Sequence, residues 1–81
     1  MVKVIFYNLL RSKYNINEEM VHSGSINEIL NQIFQKYPNM QEKDFDTAVV
    51  FHQGKPIHKM NFDYMIDDRE EIIITHFVGG G

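Results

Sequence analysis

Val2, Val4 and Phe6 alternate with Lys3, Ile5 and Tyr7, a period of two over β-prone residues that predicts a strand apolar on both faces. Asn8 to Asn17, with Arg11, Ser12, Lys13 and asparagines, reads as a turn or loop leading to a second strand near Glu18 to His22. The chain is therefore expected to open on a β-hairpin. The period then changes. Ile26, Ile29, Leu30, Ile33, Phe34 and Tyr37 recur at helical spacing and place one apolar stripe on a helix of about three turns. Ser25 followed by Glu28 has the spacing of a capping box, in which the serine oxygen accepts the third amide and the glutamate reaches back to the cap. Pro38 disfavours helical geometry at Tyr37 and ends the pattern.

Asn39 to Asp46 is polar apart from Met40 and Phe45 and reads as a connection. Thr47 to His52 predicts a third strand, Gln53-Gly54-Lys55 a turn, and Pro56 to Met60 a short edge strand that tolerates the missing proline amide. Asn61 to Arg69 is turn-like, with Phe62, Tyr64, Met65 and Ile66 as anchors, and Glu71 to Val78 is the closing strand. The order ββαββ with a terminal strand predicts an α+β domain, a mixed sheet packed on one main helix. If Val2, Val4, Phe6, Ile72 and Ile74 face that helix, then Ile5, Tyr7, Ile73, Thr75 and Phe77 occupy the opposite face. A two-layer domain exposes that face, which makes it the candidate partner surface.

Eighty-one residues are enough for one core, and 43% hydrophobic with 23% charged residues is a globular balance. The absence of cysteine rules out a disulfide, a thiolate nucleophile and a Cys-type zinc site, and fits a reducing cytoplasm. A net charge of −3 argues against nucleic acid as a partner. The opening residues lack the form of a signal peptide, and no apolar run approaches the roughly 20 residues that span a bilayer, so no membrane association is expected. The four histidines, at 22, 52, 58 and 76, match no metal-ligand spacing, and His52 and His76 lie on predicted strands with no adjacent carboxylate partner. They are expected to be structural or solvent-facing, and no metal is expected. Asp67, Asp68, Glu70 and Glu71 read as a solvated turn, Gly24 and Gly54 make no phosphate loop, and no nucleophilic triad is apparent.

The chain closes on Gly79-Gly80-Gly81 directly after a β-prone run. Glycines contribute no side-chain packing and are entropically costly to restrain, so residues 79–81 are expected to form a flexible tail on a domain of residues 1–78. Three features together resemble the MoaD/ThiS family: the molybdopterin synthase small subunit, the thiamine-pathway sulfur carrier and their ubiquitin-related-modifier cousins. The opening Val2-Lys3-Val4-Ile5-Phe6-Tyr7 with Arg11 looks like that family's first strand and its common arginine. Ile66-Asp67-Asp68-Arg69-Glu70-Glu71-Ile72 stands where the family has a leucine, a spacer, Asp-Gly-Asp-Glu and valine. Val78 and Gly80-Gly81 fall on the family valine and its diglycine. Arg69 replaces the expected turn glycine, and His76-Phe77 stand where the molybdopterin branch often has two prolines.

The resemblance covers about the whole chain and implies the β-grasp, ubiquitin-like fold. It also implies a protein that is not itself an enzyme and binds no cofactor. An E1-like partner would use ATP to adenylate the Gly81 carboxylate, and a sulfur donor would convert the acyl-adenylate to a thiocarboxylate. Gly80 and Gly81 are then the reactive end, and Ile5, Tyr7, Ile73, Phe77, Val78 and Gly79 the partner-binding residues. The molybdopterin role, with the large synthase subunit holding the sulfur acceptor, is favoured over the thiamine role. A ubiquitin-like modifier conjugated to lysines would use the same activated Gly81.

Overall fold

A computed structural model describes residues 1–76, so the expectations placed on Phe77, Val78, Gly79, Gly80 and Gly81 lie outside the described residues. The first strand, β1 (Val2–Phe6), pairs antiparallel with β2 (Glu18–Val21), as expected. Their connection is not a simple loop, however: Leu9–Tyr14 form a short helix, α1. Leu10 is fully buried and Tyr14 packs against the core one turn later, so the segment earns its helix from tertiary burial rather than from propensity. Asn15, in the left-handed region at φ 55°, terminates it.

The main helix, α2 (Ile26–Lys36), begins as predicted. The Glu28 amide donates to Ser25 Oγ at 3.1 Å while the Ser25 amide donates to Glu28 Oε1 at 2.9 Å. Ile26, Ile29, Leu30 and Ile33 are buried, and Phe34 and Tyr37 cover the edge of the same core. Before it, β3 (Gly24–Ser25) pairs with β6 (Met65–Ile66) in a small separate ribbon. The stretch expected to be a plain connection contains a 3-10 turn at Glu42–Phe45, which buries Asp44 and Phe45 beside Met40.

The third long strand, β4 (Ala48–His52), turns into β5 (Lys55–Ile57) through Gln53 and Gly54, at φ 52° and 78°. Positive φ at both central residues is the pattern of a type I′ turn, whose twist matches a two-residue hairpin. The predicted edge strand stops at Ile57, and Lys59–Asn61 form a second 3-10 turn. Of the expected anchors, Phe62 and Ile66 are buried, whereas Tyr64 and Met65 are exposed.

The last described strand, β7 (Glu71–His76), lies at the centre of a five-stranded sheet in the order β2-β1-β7-β4-β5. It runs parallel to β1 and antiparallel to β4. Val2, Val4, Phe6, Val50, Ile72 and Ile74 all point to the helix side and are 0–1% exposed. Apolar burial contributes about 25 cal/mol per Å², so this layer of contact favours folding. The expected mixed sheet on one main helix is therefore the observed architecture. Among the described residues, no helix is long and apolar enough to cross a membrane.

Candidate functional site: the open sheet face and the end of the central strand

Residues that alternate with the core positions form rows across the other face of the sheet. The register aligns Glu18, Ile5, Ile73, Phe51 and Pro56 in one row through all five strands. A second row holds Val49 opposite Thr75, with Tyr7 beside them through its amide bond to the Ile74 carbonyl at 2.9 Å. A third holds Met20, Lys3 and Glu71. Ile5, Ile73, Thr75, Val49 and Phe51 are half-buried by one another, while Tyr7 and Met20 are each 41% exposed. Tyr7, Phe51, Ile73 and Thr75 line a shallow depression of ≈ 640 Å³, which Arg69, Glu70 and Glu71 also line.

Three of the predicted partner residues, Ile5, Tyr7 and Ile73, thus share one apolar face with a charged margin. Val49, Phe51 and Pro56 belong to the same face and were not anticipated. Alternation along Ala48–His52 could have pointed to Val49 and Phe51, but its inward positions include a histidine, which blurs the polarity contrast.

A second constellation surrounds the end of β7. Asn8 Nδ2 donates one hydrogen to the His76 carbonyl and the other to Thr75 Oγ1, each at 2.8 Å. The buried His76 Nε2 lies 2.6 Å from the Asp44 carbonyl, so that nitrogen carries the proton and donates. Its Nδ1 is buried with no partner among the described residues. Asp44 is itself a hub. Lys13 Nζ donates to its Oδ1 at 2.7 Å, and the Tyr14 hydroxyl and the Gln41 amide donate to its Oδ2. The Lys13 ammonium, then the Tyr14 hydroxyl and the Gln41 N–H, hold this carboxyl well below the ordinary carboxylate range. The same contact with Asp44 raises Lys13 and Tyr14.

The start of β7 is tied in a comparable way, and here an expectation is corrected. His52 has no carboxylate beside it in the sequence, which leads to the expectation of a histidine without one. The fold brings Glu70 Oε2 to 3.0 Å from its Nε2, and the Tyr64 hydroxyl to 3.2 Å from its Nδ1. Strand pairing puts His52 opposite Ile72, close to Glu70, a proximity that no local pattern reveals. Glu70 also accepts from Gln53 Nε2 at 2.8 Å and from the Asp67 amide at 3.0 Å, so it braces the turn that was expected to be merely solvated. The Asp67 amide, then His52, lowers its carboxyl. Arg69 in this turn has φ 70°, the left-handed region that favours glycine, at the position where the MoaD/ThiS pattern has one. Among the described residues, no three histidine, aspartate or glutamate side chains gather to hold a metal ion.

A single long helix laid across a mixed sheet whose central strands run parallel is the ubiquitin-like β-grasp fold. The chain is similar to the crystal structure of Sulfolobus solfataricus Urm1, with a TM-score of 0.65 and 22% sequence identity over 91% of this chain and 97% of that one. At this identity the likeness is one of fold. No family model matches the sequence. No curated protein matches it.

Proposed function

We propose that this protein is a ubiquitin-like sulfur carrier whose working group is the Gly81 carboxylate. The observation that carries the reading is the place of β7: the central strand of a β-grasp sheet, described as far as His76, leads in sequence to Phe77-Val78-Gly79-Gly80-Gly81. A glycine thread has no Cβ atoms and can enter a channel too narrow for other residues. A carboxylate is a poor electrophile until it acquires a good leaving group. An E1-like enzyme supplies one: the Gly81 carboxylate attacks the α-phosphate of ATP, pyrophosphate departs, and a sulfur donor then displaces AMP to leave a thiocarboxylate. The protein needs no cysteine for this cycle and binds no cofactor of its own. Its freedom from cysteine suits the cytoplasm.

The open face bearing exposed Tyr7 and half-buried Ile5, Ile73 and Phe51 docks the activating enzyme, since aromatic and aliphatic side chains already ordered by one another supply contact area at small entropic cost. Among acceptors, the sequence resemblance favours the molybdopterin precursor, delivered with this chain as the small subunit of the synthase. The modifier reading draws its own support from the fold shared with Urm1. Intact mass after incubation with an E1-like enzyme, ATP and a sulfur donor separates the two. A gain equal to replacing one oxygen by sulfur is expected for a carrier. Adducts to lysines of other proteins without a thiocarboxylate function would overturn the carrier reading in favour of the modifier.

A further inference from the structure

We infer that Asn8 is a positioning residue that clamps Thr75 and His76, the last described residues of β7, accepting backbone strain in order to fix the strand that leads in sequence to the glycines. The inference rests on the carrier reading for its functional part, and on the geometry of Asn8 for the clamp itself.

Asn8 has φ 61° and ψ −124°, the conformation of the first central residue in a type II′ turn, which glycine adopts freely and other residues adopt only under strain. Nothing local requires an asparagine there. Its carbonyl accepts from the Ser12 amide at 3.1 Å and starts α1, a bond that glycine would make equally well. What glycine could not supply is the side-chain amide. Both of its hydrogens are used, one on Thr75 Oγ1 and one on the His76 carbonyl. Because that carbonyl can only accept, the NH2 end must face it, so the side-chain orientation follows from the chemistry.

Among the described residues, the last backbone bond between β7 and the segment after β1 runs from the Tyr7 amide to the Ile74 carbonyl, two residues before His76. The Asn8 side chain therefore extends the pairing to His76 by means other than backbone. From the other side His76 pairs with Ala48 of β4, and its ring donates to the Asp44 carbonyl. Delivering a carboxylate through a narrow channel to an α-phosphate depends on where the thread starts, because misplacement of about 1 Å can cost on the order of 100-fold in rate. A strained residue retained where glycine would be easier is the kind of local conflict expected at a working position.

Asn8→Gly separates strain from clamp. The variant should fold with a Tm within about 4 °C of the wild type, since relief of the backbone offsets the two lost side-chain bonds and the greater freedom of glycine in the unfolded chain. Its His76 amide order parameter should fall below the roughly 0.85 of rigid backbone, though only part of the way to a loop value, because Ala48 of β4 still pairs with it. With the activating enzyme, MgATP and a sulfur donor, kcat for thiocarboxylate formation should fall about 10-fold while KM stays within about twofold, as for a group that orients rather than docks. An unchanged order parameter overturns the clamp. A lowered one with unchanged kcat overturns its role in positioning. A wild-type chain that is never loaded refutes the carrier reading instead, and the order parameters then decide the clamp alone.

Discussion

Arg69→Gly offers a direct measure of how much strain the β6–β7 turn stores. Arg69 sits at φ 70°, and its amide donates to the Met1 carbonyl at 2.9 Å, a bond that glycine preserves. Its guanidinium forms no ion pair among the described residues. The left-handed conformation costs a non-glycine residue about 1–2 kcal/mol. The greater freedom of glycine in the unfolded chain offsets about 0.5–1 kcal/mol of that. The balance is a stabilisation of about 0.5–1 kcal/mol, which for a domain of this size raises Tm by about 2–8 °C. Gly54→Ala runs the same argument backwards. Gly54 has φ 78°, and an added Cβ would meet nothing within 4 Å, so the loss of about 0.5–1 kcal/mol is purely conformational. Arg69→Ala keeps the strain and removes the side chain, and should leave Tm within about 2 °C. Thermal melts of the three variants check the set. If Arg69→Gly and Arg69→Ala both lower Tm, the side chain is holding the turn and the strain argument fails.

Ile33→Ala, at a position with no exposure on the inner face of α2, should lose about 2–5 kcal/mol in denaturant melts; a loss below about 0.5 kcal/mol would contradict the helix register. Asp44 has a depressed folded pKa, so the unfolded chain takes up its proton first. The stability it contributes is complete above its ordinary value of 3.8 and is lost as pH falls below it. Asp44→Asn should therefore flatten the acid limb of a plot of urea midpoint against pH, and an unaltered limb would remove Asp44 from the acid sensitivity. On the open face, Tyr7→Ala and Phe51→Ala should each weaken binding to the activating enzyme by about 1–3 kcal/mol in calorimetry while the fold survives. Wild-type affinity in both would move the docking surface elsewhere.

Those parts of the fold whose causes lie within a few residues could be read directly. The Ser25–Glu28 box and the stripe from Ile26 to Ile33 are local, so α2 was placed correctly at its first residue. The alternation of Val2, Val4 and Phe6 works the same way, because the inward positions are all apolar. The helix α1 fails this test. Its polar residues look like a loop, and the contacts that hold it reach 30 and 31 residues ahead, from Tyr14 and Lys13 to Asp44. An isolated six-residue helix does not sustain itself in water, so only the folded partner makes it helical.

The same distinction explains which half of the candidate site was visible. Ile5, Tyr7 and Ile73 follow from period alone, whereas Asn8, Asp44, His52 and Glu70 act across gaps that no spacing rule spans. Their roles share a direction. Glu70 and His52 tie the start of β7, beside the strained Arg69; Asn8 and the His76–Asp44 bond tie its last described residue, where Asn8 is itself strained. Buried polar groups and left-handed residues both oppose folding unless something compensates them. Here they bracket the described length of one strand, the one that leads in sequence to the glycines. A core strand needs only its apolar face, which Ile72 and Ile74 already provide, so bonds at Glu70 and at His76 suit a strand that must also hold a fixed course toward the glycines.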